Sequence, residues 1–580
     1  MAVKMSTHNE KGFIQWRFGS LCLGIFLILA VLLVRIAWLQ VIAPDKLVAQ
    51  EDKRSLRVEQ TPIARGMITD RQGLPLAVSV PVDAIWADPQ EVAQSGGVSA
   101  SDGWQALAQV LNIPFTELTG RMAQHPHLRF LYLARQVEPD AAQYVKQLKL
   151  HGIYLKQESR RFYPAGEAAA NLLGFTNIDD QGIEGVEKSF NSLLNGTSGQ
   201  RVVRKDRFGR VIETLRATDS RPAHDLALSI DLRLQRQTEA ALGNAVAFNK
   251  ADSGAAVLVD TATGELLAMA NYPTFNPNNR SGAGEADFRN HAISDIFEPG
   301  STVKPMVVMT ALAQGIVRPD SVLDTRPYVL NGHQIRDVAF YPRLSMAGIL
   351  QKSSDVGVSR LSLAMPISAL QQTYQRFGLG KPTELGLTGE SSGLMPDRQR
   401  WGALDRATFS FGYGLMVTPV QLARVYAAIA NDGLYRPLSI VRVDPPVIGQ
   451  QIMNGRIVHE VKHMMESVAL PGGGGIKAAV RDYRVAVKTG TAKKIGPDGR
   501  YVDKYVAYTA GIAPASRPRF ALVVVIDNPQ AGQYYGGAVS APVFSTIMAE
   551  VLRIMNVAPD ALTSDTRQAG TALSTAHAHG

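Results

Sequence analysis

The longest uninterrupted hydrophobic stretch lies near the start of the chain. Phe18 to Val34 contains no charged residue and is rich in Leu, Ile and Val, and Trp16 and Trp38 bracket it. A helix between the two tryptophans would be about 33 Å long, which matches the hydrocarbon core of a bilayer. Tryptophan is also enriched at membrane–water interfaces. The pattern therefore predicts one transmembrane anchor over residues 18–41.

The charges before this apolar run predict its orientation. Lys4, Lys11 and Arg17 precede it, and positive residues favour the cytoplasmic end of a membrane helix. We therefore expect residues 1–17 in the cytoplasm and the rest of the chain across the membrane. A cleaved signal peptide is the competing interpretation, but the candidate cleavage site, Val41-Ile42-Ala43, lies well beyond the apolar core.

After about residue 220, the hydrophobic positions follow the periods of both helices and strands. Their spacing predicts a helix over Leu232–Phe248, and the apolar runs at 255–259 and 266–270 flank a turn, which predicts a β-hairpin. Another buried strand is predicted at 520–526. Helical patterns lie between these strands, so residues 221–560 are predicted to form an α+β domain, an antiparallel sheet with helices on both sides.

Two other parts of the chain have different patterns. Residues 57–220 mix short strand-like runs with many turns, which predicts a smaller mixed domain. Residues 561–580 are polar and rich in small side chains, so we expect a flexible tail. A chain of 580 residues is too long for one compact core, which agrees with this division.

Composition excludes several classes of protein. With 46% hydrophobic and 19% charged residues, the chain is neither mostly disordered nor a many-pass membrane protein. A net charge of +9 suits an anionic partner, but the basic residues are dispersed and no nucleic-acid motif is present, so a solvated basic surface is the alternative. Cys22 is the only cysteine, so we expect no internal disulfide and no cysteine-based metal site.

Ser301-Thr302-Val303-Lys304 is the first candidate for chemistry. It follows the turn-forming Glu298-Pro299-Gly300 and opens an apolar run that predicts a helix. Lys304 would share a helix face with Ser301. A serine needs a neighbouring base to act as a nucleophile, and a helix N-terminus favours a developing oxyanion. Taken alone, the pattern is weak and far more often describes a helix-capping serine followed by a solvated lysine.

Two further motifs follow in order. Ser353-Ser354-Asp355 precedes a helical segment, and Lys488-Thr489-Gly490-Thr491 stands at the end of a predicted strand, Tyr483–Val487. The lysine of the third motif offers a charge for a carboxylate, its two threonines offer hydroxyls, and its glycine leaves room for a nucleophile or substrate backbone. Each motif is weak alone, but the three in this order and setting form a specific signature.

The chain resembles the class B penicillin-binding proteins, and within them the division-specific, FtsI-like peptidoglycan D,D-transpeptidases of Gram-negative bacteria. The resemblance extends over nearly the whole chain and includes the anchor. Its most specific strings are Arg65 to Gly73, Gly182 to Glu187, Glu298 to Pro305, Ser410 to Gly414 and Val487 to Ala492. It implies a transpeptidase fold at 221–560 and a pedestal, dimerisation-like domain at 57–220.

The resemblance also implies a mechanism. Ser301 would attack the penultimate D-Ala carbonyl of a stem pentapeptide, Lys304 would take its proton, and the acyl-enzyme would pass to an amine of a neighbouring stem. The product would be a 4→3 cross-link in septal peptidoglycan, and a β-lactam would trap the same serine. The other implied site residues are the catalytic Ser353, Asp355 and Lys488 and the substrate-binding Ser354, Tyr413, Thr489, Gly490 and Thr491.

Location and partners follow from the same resemblance. The expected location is the inner membrane, with a cytoplasmic N-terminus and a periplasmic catalytic domain. The expected partners are lipid-linked peptidoglycan strands, β-lactams, an FtsW-type glycosyltransferase and other division proteins. No cofactor, metal or nucleic acid is expected.

Asp355 departs from the family pattern, which has Asn at this position. An amide both donates and accepts, whereas a carboxylate only accepts and would pair with a lysine. Three hypotheses remain open: a paralogue tuned to acidic surroundings, in which protonation of Asp355 restores a donor; a rearranged site that works at neutral pH; and a weakened site. The first requires burial of Asp355, because an ordinary aspartic acid is ionised in mild acid.

Two other functions remain alternatives at this point. In a D,D-carboxypeptidase or β-lactamase, water would replace the acceptor amine. In a non-catalytic division scaffold, the membrane helix and residues 57–220 would recruit partners, and Asp355 would mark a disabled site.

Overall fold

The structure is a computed structural model that describes residues 10–38, 56–60, 64–196, 200–205, 211–218 and 222–561. Its contacts divide the chain into one unit of residues 1–63 and 196–222 and a second unit of residues 64–195 and 223–580. The tail predicted at 561–580 lies outside the described residues except for Ala561. The domain limits at 57–220 and 221–560 stay predictions.

The first unit contains one long apolar helix and a small sheet. The helix spans Glu10–Ala37, and its part from Trp16 to Ala37 has a mean hydropathy of 2.7 and no protein covering its most apolar window. Its length and apolar surface agree with a single membrane anchor. The sheet is antiparallel, with Gln200–Lys205 between Leu56–Gln60 and Val211–Ala217.

Residues 64–195 begin the second unit with a mixed sheet packed on short helices. The strands are Ile68–Thr69, Pro75–Ala87, Leu131–Val137, Ile153–Phe162 and Leu226–Ala227. The helices on this sheet are Pro89–Gln94, Asp102–Val110, Phe115–Gln124 and Pro139–Gln147. Alternate apolar residues of the strands and one face of each helix form a common core, which includes the buried Ile85, Trp104, Leu107, Leu118 and Val145.

A five-stranded antiparallel sheet, here called the central sheet, forms the core of the rest of the second unit. Its order from one edge to the other is Leu266–Tyr272, Ser253–Asp260, Phe520–Asp527, Tyr501–Ala513 and Ala486–Ile495. Two of the three inner strands, Ser253–Asp260 and Phe520–Asp527, are almost continuously apolar and buried, as expected for a sheet that is covered on both faces.

Helices cover the central sheet. Leu232–Phe248, capped by Asp231, packs with Ala541–Ile554, and all twelve residues of Pro419–Ala430 are buried. The other longer helices are Lys304–Ala313, Met346–Gln351, Asp355–Ala364, Ile367–Arg376, Ala403–Ser410 and Gly455–Glu466. The predicted α+β fold is therefore confirmed.

The individual elements agree with the sequence in part. The helix Leu232–Phe248 and the hairpin of Ser253–Asp260 with Leu266–Tyr272 are confirmed. The strand predicted at Tyr483–Val487 is wrong in extent, because the observed strand, Ala486–Ile495, contains the whole third motif. Pairing with Tyr501–Ala513 continues through that motif and holds it in the sheet.

Candidate active site

The first motif lies where a short 3₁₀ turn becomes an α-helix. The turn is Gly300–Val303, and the helix begins at Lys304. Gly300 has a φ of +46°, and a Cβ there would lie 2.5 Å from Tyr508 Oη, so a side chain is excluded immediately before the nucleophile candidate. Ser301 is partly exposed, whereas Lys304 is completely buried.

The second motif forms a tight loop before the helix Asp355–Ala364. Ser353 has a φ of +57°, a conformation uncommon outside glycine and frequent at functional sites. Ser354 is the helix N-cap: its Oγ accepts the Gly357 N–H at 2.8 Å and donates to Asp337 at 2.6 Å. Ser354 is fully buried. The structure thus gives Ser354 a capping role, and its predicted substrate contact stays a prediction.

The third motif lies on the edge strand Ala486–Ile495, where Lys488 is fully buried and Thr489 and Thr491 are partly exposed. Thr491 Oγ1 accepts the Gly536 N–H at 2.9 Å. A Cβ at Gly490 would lie 2.1 Å from the Tyr508 ring. The neighbour that requires glycine at this position is therefore that ring, rather than the nucleophile or substrate that the sequence suggested.

The three motifs meet at the hydroxyl of Ser353. Ser353 Oγ donates to Ser301 Oγ at 2.9 Å and accepts from Lys488 Nζ at 2.9 Å and from Lys304 Nζ at 3.2 Å. Among the described residues no direct hydrogen bond joins Lys304 to Ser301. The only hydroxyl between the nucleophile candidate and the two amines in this part of the chain is that of Ser353.

The two lysines differ in their partners. Lys304 Nζ donates to Asp355 Oδ1 at 2.6 Å and to the Ser353 carbonyl at 2.6 Å. Lys488 Nζ donates to Ser353 Oγ and, at 3.0 Å, to the Thr489 carbonyl. Burial, reinforced by the positive charge of Lys304, holds the pKa of Lys488 well below its usual value, and the Asp355 charge opposes this only in part. Burial thus favours the neutral form of Lys488.

Asp355 occupies the position where the sequence departs from the family. Its side chain is 37% exposed and forms an ion pair with the buried Lys304. The acid-tuning hypothesis depends on burial of Asp355, and the structure does not provide that burial. The hypothesis stays a prediction that depends on measurement.

Tyr413 lies close enough to Asp355 for the two to interact electrostatically. Burial, and then the charges of Asp355 and Glu298, raise the pKa of Tyr413. Its ring makes an edge contact with Tyr501, whose hydroxyl donates to the Glu298 carboxylate at 3.0 Å. Glu298 also accepts the Gly414 N–H at 2.8 Å. These contacts join the segment before Ser301 to the Tyr413 loop and to the start of the strand Tyr501–Ala513.

Asp337 is a residue of the site that sequence reasoning missed. It accepts from Ser354 Oγ at 2.6 Å and from the Val356 N–H at 2.9 Å, and so holds the second motif from outside. A carboxylate in a loop well upstream gives no local pattern that points to this contact.

Comparison with known families agrees with this geometry. Residues 254–549 match the penicillin-binding protein transpeptidase domain, and residues 60–228 match the penicillin-binding protein dimerisation domain. The chain therefore belongs to the class B penicillin-binding proteins, which carry both domains. The family resemblance predicted from the motifs is confirmed.

Its relatives narrow the class further. The chain is 66% identical over 556 residues to the peptidoglycan D,D-transpeptidase FtsI of Escherichia coli K12, covering 96% of this chain and 95% of that protein. It is 41% identical over 532 residues to the probable peptidoglycan D,D-transpeptidase PbpC of Pseudomonas aeruginosa, covering 91% and 93%.

Solved structures share the fold. A peptidoglycan synthetase from Bifidobacterium adolescentis superposes with a TM-score of 0.71 at 25% identity, covering 88% of this chain and 98% of that chain. The transpeptidase domain of Burkholderia pseudomallei penicillin-binding protein 3 gives a TM-score of 0.53 at 37% identity, covering 57% of this chain and 97% of that chain.

Proposed function

We propose that this chain is a peptidoglycan D,D-transpeptidase of septal wall synthesis that forms 4→3 cross-links and is acylated by penicillin, with Ser301 as its nucleophile. The observation that carries the proposal is the hydroxyl of Ser353, which is hydrogen-bonded to Ser301 Oγ and to the amines of Lys304 and Lys488. A partly exposed hydroxyl next to buried amines is what an activated serine requires. The relatives named as D,D-transpeptidases support the same reaction.

The proposed reaction has two halves. Ser301 Oγ attacks the carbonyl carbon of the penultimate D-Ala and loses its proton through Ser353 Oγ to a lysine amine. The peptide C–N bond breaks, and the terminal D-Ala leaves with that proton on its nitrogen. An amine of a neighbouring stem then attacks the ester carbonyl, its proton follows the same route in reverse order, and Ser301 Oγ is released.

The two lysines have distinct parts in this proposal. Lys488 can accept the first proton while the ion pair of Lys304 with Asp355 remains intact, because burial favours its neutral form and lowers its pKa. Lys304, the predicted base, can accept a proton only after that ion pair is broken. The identity of the residue at 355 therefore decides how the work is divided between the amines.

Substrate binding is proposed along the edge strand Ala486–Ile495. A donor stem can extend the sheet as a further strand, with its terminal carboxylate near the hydroxyls of Thr489 and Thr491. The proton that Lys488 receives makes it an ammonium beside this carboxylate. Backbone N–H groups of Ser301 and Thr491 would hold the developing oxyanion.

The membrane helix supports a proposed location. We infer that Glu10–Ala37 anchors the chain in the inner membrane, with a cytoplasmic N-terminus and a periplasmic transpeptidase domain, since basic residues precede the apolar segment. Lipid-linked peptidoglycan strands are the proposed substrates. An FtsW-type glycosyltransferase and other division proteins are the proposed partners.

Labelling with benzylpenicillin tests the nucleophile. Mass spectrometry should find the acyl group on Ser301, and Ser301→Ala should abolish labelling. Attachment to another residue would contradict the proposed site. An unlabelled chain whose Ser301→Ala variant still supports division would instead indicate a scaffold.

Product analysis tests the reaction. With a stem pentapeptide and an amine acceptor, we expect a cross-linked dimer and free D-Ala. Tetrapeptide and free D-Ala without dimer would identify a D,D-carboxypeptidase instead.

A further inference from the structure

A cavity of about 450 Å³ in the second unit is lined by arginine, amide and hydroxyl side chains and by no Asp or Glu. Its arginines are Arg160, Arg161 and Arg280. Arg160 and Arg161 end the strand Ile153–Phe162, and Arg280 belongs to a loop that follows the central-sheet strand Leu266–Tyr272. Such a lining can surround an anion with several donors.

One of these arginines is buried and incompletely hydrogen-bonded. Arg161 is 6% exposed, its Nε donates to Glu187 at 2.6 Å, and its Nη1 donates to Ser79 at 3.1 Å. Its Nη2 is buried and has no partner in the described part of the chain. A buried donor without a partner is rare in folded proteins, so one hydrogen-bonding capacity of Arg161 is unused.

Positive charge is in excess around the cavity. Glu187 is shared between Arg161 and Arg65, so one carboxylate serves two guanidinium groups. Arg280 forms no ion pair among the described residues; it lies 4.3 Å from the Phe175 ring centroid. Asp180 is close by; burial raises the pKa of its carboxyl, while a hydrogen bond from Ser159 and the charges of Arg161 and Arg65 oppose that rise.

The pair of Arg160 with Glu138 compensates little of this excess. The two side chains meet at 2.8 Å but are 38% and 64% exposed. Exposed pairs of this kind are weak and exchange readily with solvent or with a competing anion.

The register of the central sheet relates this cavity to the active site. Thr491, Ala507, Ile526, Gly254 and Tyr272 are successive partners in one row across the five strands. Four strand spacings separate the row's two ends, so Thr491 and Tyr272 are about 19 Å apart. The loop that lines the cavity follows Tyr272, which lies on the edge strand opposite the one that carries the third motif.

We propose that this cavity binds a carboxylate of the same peptidoglycan strand whose stem is acylated at Ser301. The proposal rests on the proposed function. Guanidinium groups match carboxylates in geometry as well as in charge, and a peptidoglycan strand carries free carboxylates on its repeated stems. Holding the polymer at a second point raises its effective concentration at the active site without any new contact to the reacting bond.

Binding to the acylated protein tests the cavity alone. The full chain in detergent is first treated with benzylpenicillin, and soluble uncross-linked peptidoglycan chains with a fluorescent label are then titrated. We expect binding that Arg280→Gln weakens about tenfold or more, as for loss of a charged hydrogen bond. Arg236→Gln removes the same charge from an exposed position on Leu232–Phe248 and should leave the affinity unchanged.

The chemistry of the ligand is tested by two further arms. Peptidoglycan chains with amidated stem carboxylates should bind the wild-type protein weakly. Their affinity should equal that of unmodified chains for the Arg280→Gln variant. Inorganic phosphate should compete no better than acetate at equal ionic strength. Tighter competition by phosphate, or equal binding of amidated chains, would overturn the assignment to a carboxylate.

Steady-state kinetics then connect the cavity with turnover. The ratio of KM for the polymer to KM for a free stem pentapeptide should rise about tenfold in Arg280→Gln and keep its wild-type value in Arg236→Gln. A parallel loss on both substrates would show damage to the fold and overturn the proposal. Failure of benzylpenicillin to acylate the wild type would refute the proposed function, while titration of the untreated chain would still test the cavity.

Discussion

Two regions of the second unit each bury two cations beside one carboxylate. In the first, Glu187 is fully buried and accepts from Arg65 Nε at 2.7 Å and from Arg161 Nε at 2.6 Å. Its two oxygens are divided between the two guanidinium groups. This cluster joins parts of the segment 64–195 that are distant in sequence.

The active site distributes its charges unequally. Asp355 accepts from Lys304, whereas Lys488 Nζ donates to Ser353 and to the Thr489 carbonyl. Both lysines are fully buried, but among the described residues only Lys304 has a carboxylate partner.

The two clusters differ in whether their cations can lose a proton. Arginine stays charged under any relevant condition, so the Glu187 cluster can only stabilise the fold or attract an anion. A buried lysine can lose its proton, and burial already lowers the pKa of Lys488. The same surplus of positive charge is therefore structural where the cations are arginines and is available for catalysis where they are lysines.

The largest effect is expected from Ser353→Ala. Removal of this hydroxyl leaves Ser301 and both lysines in place but breaks the route between them, so the rate of acylation by benzylpenicillin should fall about 10²- to 10⁴-fold. A fluorescent penicillin measures this rate directly.

Ser362→Ala provides the matched control for that substitution. Ser362 is buried on the helix Asp355–Ala364, where its hydroxyl donates to the Arg406 carbonyl at 2.9 Å. The acylation rate of the Ser362→Ala variant should stay near the wild-type value. Equal losses in the two variants would mean that packing, rather than proton transfer, is what Ser353 provides.

Loss of the carboxylate shared by Arg65 and Arg161 should lower the stability of the fold. Glu187→Gln leaves two buried guanidinium groups without a carboxylate, and the free energy of unfolding should fall by about 3–5 kcal/mol. Urea unfolding of the full chain in detergent measures this change.

Glu117→Gln is the comparison for an exposed pair. Glu117 meets Arg121 at 2.5 Å, and both side chains are more than one-third exposed. Loss of this ion pair should lower the free energy of unfolding by less than about 1 kcal/mol. Similar costs for Glu187 and Glu117 would refute the structural role of the buried cluster.

Asp337→Ala should have an intermediate effect. It removes the acceptor for Ser354 Oγ and the Val356 N–H, and the cost should be about 1–3 kcal/mol in stability, with slower acylation because the second motif loses its support. Circular dichroism during heating and penicillin labelling measure the two effects. Asp320→Ala, at an exposed surface pair, should change neither.

The sequence predicts some of this molecule well. The spacing of apolar residues predicts the helix Leu232–Phe248 with both of its ends, because its 3.6-residue period is clear. The central hairpin was predicted because two apolar runs flank a turn-forming segment.

The rest depends on tertiary contacts that have no local pattern. The edge strand continues through Lys488 and Gly490, residues of low strand propensity, because Tyr501–Ala513 pairs with it. Asp337 reaches the second motif only through folding of the intervening loop and helix. The role of Ser353 between the two lysines likewise requires the folded geometry.

The smallest expected effect, and the most informative, is that of Asp355→Asn. The carboxylate forms an ion pair with Lys304 and raises the pKa of Lys488, and an amide does neither. Because the reaction needs a neutral amine, acylation at neutral pH should rise a few-fold, as for a partly exposed ion pair worth about 1 kcal/mol. The acid limb of the pH–rate profile should move to lower pH. Asp503→Asn, at an exposed position, is the control and should leave the profile unchanged.

The pH–rate profiles of the wild type and of Asp355→Asn also test the hypothesis that the enzyme is tuned to acidic surroundings. Protonation of Asp355 would free Lys304 in the way that the substitution does, so under the acid hypothesis the wild-type rate approaches the variant rate as pH falls. If Asp355 instead stays ionised across mild acid, the ratio of the two rates remains constant. A constant ratio would mean that Asp355 keeps its ion pair with Lys304 across this pH range, as Glu187 keeps its ion pairs with Arg65 and Arg161. Lys488 would then be the lysine that exchanges a proton with Ser301.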